Sequence, residues 1–110
     1  MIYLANGLSP QMFDFPEEDV TVRPIITRIS GWDAGDILRS GPFVSVYGHS
    51  DTARLLAAYF RMEIPVSRER ITLTKDDTLV VVSSQRARNR EIGYDRKNRP
   101  TFRFYKVRLA

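Results

Sequence analysis

His49 is the only histidine of this 110-residue chain, and it stands where a strand should turn into a helix. Gly48 precedes it, and Ser50, Asp51 and Thr52 follow. Residues of these three types favour a helix start, because a side-chain oxygen can accept a hydrogen bond from a first-turn N–H. Free N–H groups and the helix dipole favour an anion such as phosphate there, and an imidazole can exchange a proton with it. The alternative is a half-buried structural histidine, since the stretch is no P-loop: it has one glycine and no following Lys-Thr pair.

A strand and a helix must hold that turn. β-branched and aromatic residues at 43–47 favour a strand directly before it. From residue 50 to 62, apolar side chains recur at the helical period in two stripes, one of Ala53, Leu56, Ala57 and Phe60 and one of Leu55, Ala58, Tyr59 and Met62. We expect one stripe to lie against a sheet, and the other could meet a partner subunit.

Further strands are expected around this unit. Residues 2–5 form a short apolar run, and 79–82 form a continuous one that is typical of a central strand covered on both faces. Residues 70–74 alternate apolar and polar, and the short connection to 79–82 predicts an antiparallel hairpin. The last strand is predicted at 102–109, where its apolar and aromatic side chains could form a subunit contact.

Two segments are less regular. Residues 20–29 alternate, but Pro24 cannot donate to a ladder, so this strand is expected at an edge or interrupted there. Residues 31–38 predict a loop with about two turns of helix, and Trp32 within it is expected to be a local core plug rather than a base-stacking platform. We therefore predict one α/β domain over residues 1–110, with a mixed sheet of about five strands and flanking helices.

The amino-acid composition excludes several kinds of functional site. The chain has no cysteine, which excludes disulfides, thiol nucleophiles and Cys-type zinc sites. With one histidine, a zinc site would need three or more carboxylates, and no such cluster is evident, so neither a metal nor a cofactor is expected. No run approaches a membrane span and no secretory leader is evident, so we expect a cytoplasmic protein with no membrane partner. The 43% hydrophobic content allows a modest core that oligomerisation would help.

The net charge of +4 suits an anionic partner such as a nucleotide, RNA or DNA. Much of the positive charge lies at 86–99, diluted by few acidic residues. We interpret this segment as a basic loop that either contacts phosphate, closing over a ligand, or is a solvated surface.

Four pieces of the sequence together resemble one family. They are Tyr3-Leu4-Ala5-Asn6 with Ser9, then Gly48-His49-Ser50-Asp51-Thr52, then Arg70-Ile71-Thr72-Leu73, and finally Ser84-Gln85-Arg86 followed by Phe104-Tyr105-Lys106-Val107. Their order and spacing are similar to those of viral anti-CRISPR ring nucleases and their cellular homologues, which degrade cyclic tetra-adenylate, the second messenger of type III CRISPR defence.

The resemblance implies a homodimer that holds cyclic tetra-adenylate at its interface, with His49 as the catalytic residue and no stable DNA partner. It also implies a set of ligand-binding residues: Asn6, Ser9, Ser50, Asp51, Thr52, Arg70, Gln85 and Arg86. The family usually has Asp-Ser where this chain has Ser50-Asp51, a swap that keeps the helix-starting chemistry. Family members carry a glutamate three residues after the arginine of Ser-Gln-Arg, where this chain has Asn89, so that role is missing or moved to Glu91.

The predicted activity is metal-independent cleavage of cyclic tetra-adenylate to linear di-adenylate with a 2′,3′-cyclic phosphate. A module that sequesters a cyclic nucleotide without turnover is one alternative. A small basic nucleic-acid-binding protein is another, and an interaction protein without a nucleotide ligand is a third. Virus and host cell are both open as the origin of the gene, as are the preferred ring size and the turnover rate.

Overall fold

The computed structural model describes residues 1–85 and 101–110, and within them strands and helices alternate as far as β4, which β5 follows directly among the described elements. The elements in chain order are β1 (Ile2–Ala5), a short 3-10 helix (Pro10–Phe13), β2 (Pro24–Ile29), α1 (Gly31–Arg39), β3 (Phe43–Ser45), α2 (Ser50–Phe60), β4 (Thr78–Gln85) and β5 (Thr101–Leu109). Within the described part of the chain, none of the helices has the length and apolarity needed to cross a membrane.

The strands form one five-stranded mixed sheet in the order β2-β5-β4-β1-β3. β1 is parallel to both β3 and β4, whereas β5 is antiparallel to both β4 and β2. The fold is therefore the predicted single α/β domain with a mixed sheet and two helices. β4 lies between β1 and β5, and its buried run of Leu79, Val80, Val81 and Val82 confirms the predicted central strand.

Both helices cover the same face of the sheet. Leu56 and Phe60 of α2 and Leu38 of α1 pack in one buried cluster with Val80 and Val82 of β4. α2 lies between β3 and β4 in the chain, and β1 lies between these two strands in the sheet. Its first predicted stripe is therefore inward, while the second leaves Leu55, Ala58 and Tyr59 exposed in the single chain.

The predicted hairpin of 70–74 with 79–82 is wrong. Both edges of β4 are occupied by β1 and β5, so no position beside it is free for 70–74. That segment is instead an irregular stretch across the sheet face away from α1 and α2, where the short 3-10 helix also packs. Leu73 is buried there, and its N–H donates to the carbonyl of Met12 in the 3-10 helix at 2.8 Å.

Two other expectations need correction. Trp32 is 80% exposed, so it is not a core plug. It lies on the outer side of α1, which Ser30 begins by accepting a hydrogen bond from the Asp33 N–H at 3.0 Å. Of the predicted strand at 20–29 only β2 forms, and it is an edge strand beginning at Pro24, as the missing proline N–H requires.

Candidate functional site

The carboxyl ends of three parallel strands meet at one edge of the sheet, and most of the predicted site residues follow them. β1 leads into Asn6, β3 leads through Tyr47 to Gly48 and His49, and β4 ends at Gln85. The crevice outside the carboxyl ends of parallel strands is where open α/β sheets generally bind ligands. The topology therefore brings together residues from three distant parts of the sequence.

His49 is the N-cap residue of α2. Its backbone is extended, with φ −111° and ψ 111°, and its carbonyl accepts the Ala53 N–H at 2.9 Å. Its imidazole is exposed and makes no capping hydrogen bond to the helix. Ser50 is thus the first helical residue and not the cap that its type suggests. Among the residues that the structure describes, no side chain accepts a hydrogen bond from the first-turn N–H groups of α2 beside the imidazole.

A hollow of about 670 Å³ opens at this helix end, and we call it the His49 hollow. It is lined by the predicted residues His49, Ser50, Asp51 and Thr52, and also by Gly48, Val66, Arg68 and Ser84. Within residues 1–85 and 101–110 the hollow is wide and open to solvent, so a ligand could reach the imidazole and the start of α2 past these residues.

A second hollow, of about 410 Å³, adjoins the first, and we call it the Asn6 hollow. Among its lining residues are the predicted Asn6, Ser9 and Arg70. Gly48 and Arg68 line both hollows, so together the two form one continuous surface across the sheet edge. Seven of the predicted site residues lie along this surface: Asn6, Ser9, His49, Ser50, Asp51, Thr52 and Arg70.

Arg68 was missed by the sequence reasoning. A parallel bridge joins Val66 to Tyr47, and the Ser67 N–H donates to the Tyr47 carbonyl at 3.0 Å. This contact brings Arg68 over Gly48, where a Cβ added to the glycine would lie 3.4 Å from the arginine Cγ. The sequence signal was available: in an extended segment, residues two apart share a side, so Arg68 should accompany Arg70.

The two hollows are lined by two arginines, Arg68 and Arg70, and by two carboxylates, Asp51 and Glu69. The guanidinium groups of Arg68 and Arg70 are exposed at the two hollows. The carboxylate of Asp51 is 2.9 Å from the guanidinium of Arg54, one turn along α2. This pair is exposed and adds little to stability, but it offsets the negative charge nearest to His49. An anion in the His49 hollow would therefore meet helix N–H groups and Arg68, whereas the carboxylate of Glu69 lines the Asn6 hollow.

Tyr47, which precedes the turn, is bonded to the central strand. Its side chain is 1% exposed, and its hydroxyl donates to the Val82 carbonyl of β4 at 3.1 Å. Burial raises the pKa of the Tyr47 hydroxyl to about 12, so it stays protonated and keeps that hydrogen bond at neutral pH. The side chain that directly precedes Gly48 and His49 is thus fixed to the central strand.

The remaining predicted residues are only partly placed. Gln85 ends β4 and pairs with Thr101 of β5. Arg86, Asn89, Glu91 and the rest of the basic segment 86–99 lie outside the described residues. Among the residues that the structure does describe, no group of three or more histidines or carboxylates is placed to hold a metal ion.

Comparison with known proteins gives a consistent result. In fold, the chain is similar to the solved structure of B116 of Sulfolobus turreted icosahedral virus, with a TM-score of 0.69, 20% sequence identity and 97% of each chain covered. A search of curated protein sequences finds no match. The family model described as STIV B116-like matches residues 2–98. This match covers nearly the whole chain, both hollows included, and the chain belongs to the STIV B116-like family.

Proposed function

We propose that this protein is a metal-independent phosphodiesterase that opens cyclic tetra-adenylate into two linear di-adenylates ending in 2′,3′-cyclic phosphates, which switches off type III CRISPR signalling. The observation that carries the proposal is the position of His49. Its exposed imidazole stands at the start of α2 in a hollow that Arg68 also lines. The resemblance of the ordered motifs to ring nucleases supplies the substrate.

The substrate brings its own nucleophile. A ribose 2′-oxygen attacks the adjacent 3′-phosphorus, the bond from phosphorus to the 5′-oxygen breaks, and the 2′-hydroxyl proton leaves to solvent. The protein must hold these three atoms in line, and such positioning supplies several kcal/mol of the barrier. The two adjoining hollows offer a surface long enough to fix neighbouring nucleotides, with Asn6 and Ser9 available to donate hydrogen bonds on one side.

The departing 5′-oxygen needs a proton, and His49 in its protonated form supplies it. General acid catalysis of this kind contributes about 10²–10⁴-fold to the rate. The exposed imidazole is not committed to capping α2, which leaves it free to turn toward a bound phosphate. Arg68 and the first-turn N–H groups of α2 stabilise the negative charge that develops on the phosphoryl oxygens.

The symmetry of the ligand points to a homodimer. A ring of four like nucleotides contains a two-fold axis, and a homodimer presents one surface twice around such an axis. Two copies of the His49 hollow would then face opposite phosphodiesters of one ring. Each His49 would cut one linkage, which leaves two dinucleotides.

The test is to incubate the protein with cyclic tetra-adenylate in EDTA and to resolve the products by chromatography. We expect linear di-adenylate with a 2′,3′-cyclic phosphate, and a loss of at least about 100-fold in rate for His49→Ala. Arg108→Ala, an exposed change on β5 away from both hollows, is the matched control and should retain activity. An unchanged ring, or an undiminished rate in His49→Ala, would refute the proposal.

A second candidate rests on Asn89, which replaces the glutamate of the ring nucleases that the chain resembles. If that carboxylate is needed for turnover, the protein binds and sequesters the cyclic nucleotide instead. Tight binding of the intact ring by both wild type and His49→Ala, with no products, would select this candidate. Asn89→Glu is the informative variant, because a gain of cleavage would show that the missing carboxylate is what turnover requires.

A further inference from the structure

A separate hollow, of about 490 Å³, lies between α1 and the end of α2, and we call it the Trp32 hollow. It is lined by Gly31, Trp32, Arg39, Tyr59, Phe60 and Arg61. α2 has 11 residues, so this hollow lies about 15 Å from the His49 hollow, at the opposite end of the same helix. Among the residues that the structure describes, it is more enclosed than the two hollows at the sheet edge, and its volume is in the range of small-ligand sites.

Two glycines shape the wall that α1 contributes. Gly31 and Gly35 are four residues apart, so they lie on the same face of this helix. A Cβ added to Gly31 would overlap the Tyr59 hydroxyl, and one added to Gly35 would lie 2.7 Å from a guanidinium nitrogen of Arg39. The Tyr59 ring also stacks on Phe104, with centroids 5.5 Å apart and planes 25° apart. The missing side chains therefore let an aromatic ring and a cation lie against the backbone of α1.

The rim of the hollow is aromatic. Trp32 is 80% exposed and Tyr59 is 53% exposed, so each presents ring surface to a ligand in the single chain. Flat aromatic side chains of this kind stack with nucleobases of any sequence, because every base has a π-face. The lining thus fits a ligand that contains a planar ring.

Arg39 supplies one positive charge. Its guanidinium donates to the Phe60 carbonyl and to the Asp36 carboxylate, both at 3.4 Å, which is long for a hydrogen bond. The pair with Asp36 is exposed and contributes little. A phosphate can replace these contacts with the shorter, charge-assisted ones that a guanidinium makes to an anion.

Arg61 supplies a second positive charge, and its backbone is unusual. It is the C-cap of α2 with φ 55° and ψ 47°, a left-handed conformation that glycine adopts without strain and a residue with a Cβ does not. Strained residues of this kind cluster at binding and catalytic sites. The retention of arginine at this position indicates a use for its side chain in the hollow that it lines.

We propose that the Trp32 hollow binds a nucleoside monophosphate. The base stacks against the exposed rings of Trp32 and Tyr59, and the phosphate is held by the guanidinium groups of Arg39 and Arg61. One flat ring and one compact anion match the enclosed volume, the aromatic rim and the two positive charges. An acidic peptide would satisfy the arginines but not the flat aromatic surfaces.

This site is independent of the proposed function, because it shares no lining residue with the two hollows at the sheet edge. Loss of nucleotide binding here would leave the cleavage assay unaffected. A failed cleavage assay would likewise say nothing about the Trp32 hollow.

Trp32 is the only tryptophan of the chain, so its fluorescence reports on binding in this hollow. Titration with each of the common ribonucleoside 5′-monophosphates, excited at wavelengths that the bases do not absorb, should quench this fluorescence saturably. The nucleosides without phosphate, and ribose 5-phosphate without a base, should each bind at least about 10-fold more weakly. No saturable quenching by any nucleotide, equal affinity for ribose 5-phosphate, or quenching only by longer single strands overturns the proposal.

Arg61→Gly separates binding from stability. This variant should bind the nucleotide at least about 10-fold more weakly, yet melt at a higher temperature, because glycine relieves the left-handed conformation. Arg108→Ala removes an equal charge outside the hollow and should keep the affinity. Arg39→Ala should weaken binding to a similar extent, and it decides alone if Arg61→Gly does not fold. Undiminished affinity in either folded variant, or an equal loss in Arg108→Ala, overturns the proposal.

Discussion

Arg68 borders both hollows, whereas His49 borders only one, so substitutions of these two residues should have different effects on binding and turnover. A guanidinium that contacts a phosphate already in the ground state contributes to binding as well as to the stabilisation of charge in the transition state. We expect Arg68→Ala to weaken affinity for cyclic tetra-adenylate by about 10- to 100-fold, the range of a charge-assisted hydrogen bond. Calorimetric titration of a His49→Ala background measures this without turnover.

The control substitutions for Arg68→Ala are made in the same His49→Ala background. Arg108→Ala removes an equal charge from an exposed position away from both hollows, so it reports the general loss of positive charge. Arg68→Lys keeps the charge but not the fork-shaped donor set, and it should recover only part of the affinity. If Arg68→Ala and Arg108→Ala weaken binding equally, Arg68 does not contact the ligand.

At the level of elements, Tyr47 links the end of β3 to β4, and its ionisation should make the stability of the fold depend on pH. The pKa of its hydroxyl is about 12 in the folded chain and 10.0 in its ordinary state. Between these values the unfolded chain loses a proton that the folded chain keeps, so stability falls as pH rises. The expected loss is about 1.4 kcal/mol per pH unit across that interval, and none below it.

Denaturant unfolding of wild type and Tyr47→Phe between pH 7 and pH 12 isolates this contribution. At pH 7 the variant should be less stable by about 0.5–1.5 kcal/mol, because the hydrogen bond to the Val82 carbonyl is lost. The difference in free energy of unfolding between wild type and variant should shrink and then reverse in sign as the pH rises. A constant gap up to pH 12 would mean that Tyr47 titrates normally.

Sequence patterns were sufficient to predict those features of the fold that depend on the residues of a single strand. The apolar run of β4 indicated a central strand, and Pro24 indicated an edge, because each depends on one strand's own chemistry. The hairpin of 70–74 failed because periodicity does not say which edges of β4 are already taken. Trp32 failed for a similar reason, since a hydrophobic side chain on a short helix is buried only if that side of the helix faces the sheet.

The site was predicted to a similar extent. The turn at His49 was evident from helix-starting residues, and the parallel pairing of β1 with β3 then places Asn6 and Ser9 in the adjoining hollow. The spacing of Arg68 and Arg70 could have paired these two side chains, but the position of Arg68 over Gly48 depends on the bridge between Tyr47 and Val66, a single contact between distant parts of the sequence. Contacts of that kind become visible only when the chain is folded.

At the scale of the whole molecule, the proposed function requires two chains around one ligand. The net charge of +4 would also attract RNA or DNA, so stoichiometry and salt dependence separate the possibilities. A ring shared by two copies of the His49 hollow predicts one ligand for every two chains in a calorimetric titration of His49→Ala. It also predicts that affinity for linear polyadenylate does not grow with strand length.

A nucleic-acid-binding protein behaves differently, because each neutralised phosphate releases counterions and steepens the loss of affinity with salt. If affinity for linear strands rises with length and falls steeply with salt while the ring binds weakly, the chain is a nucleic-acid binder. One ring for each chain would argue instead that a single His49 hollow holds the ligand alone. In that case one imidazole faces one phosphodiester, the product would be a linear tetranucleotide, and the symmetric mechanism would be wrong.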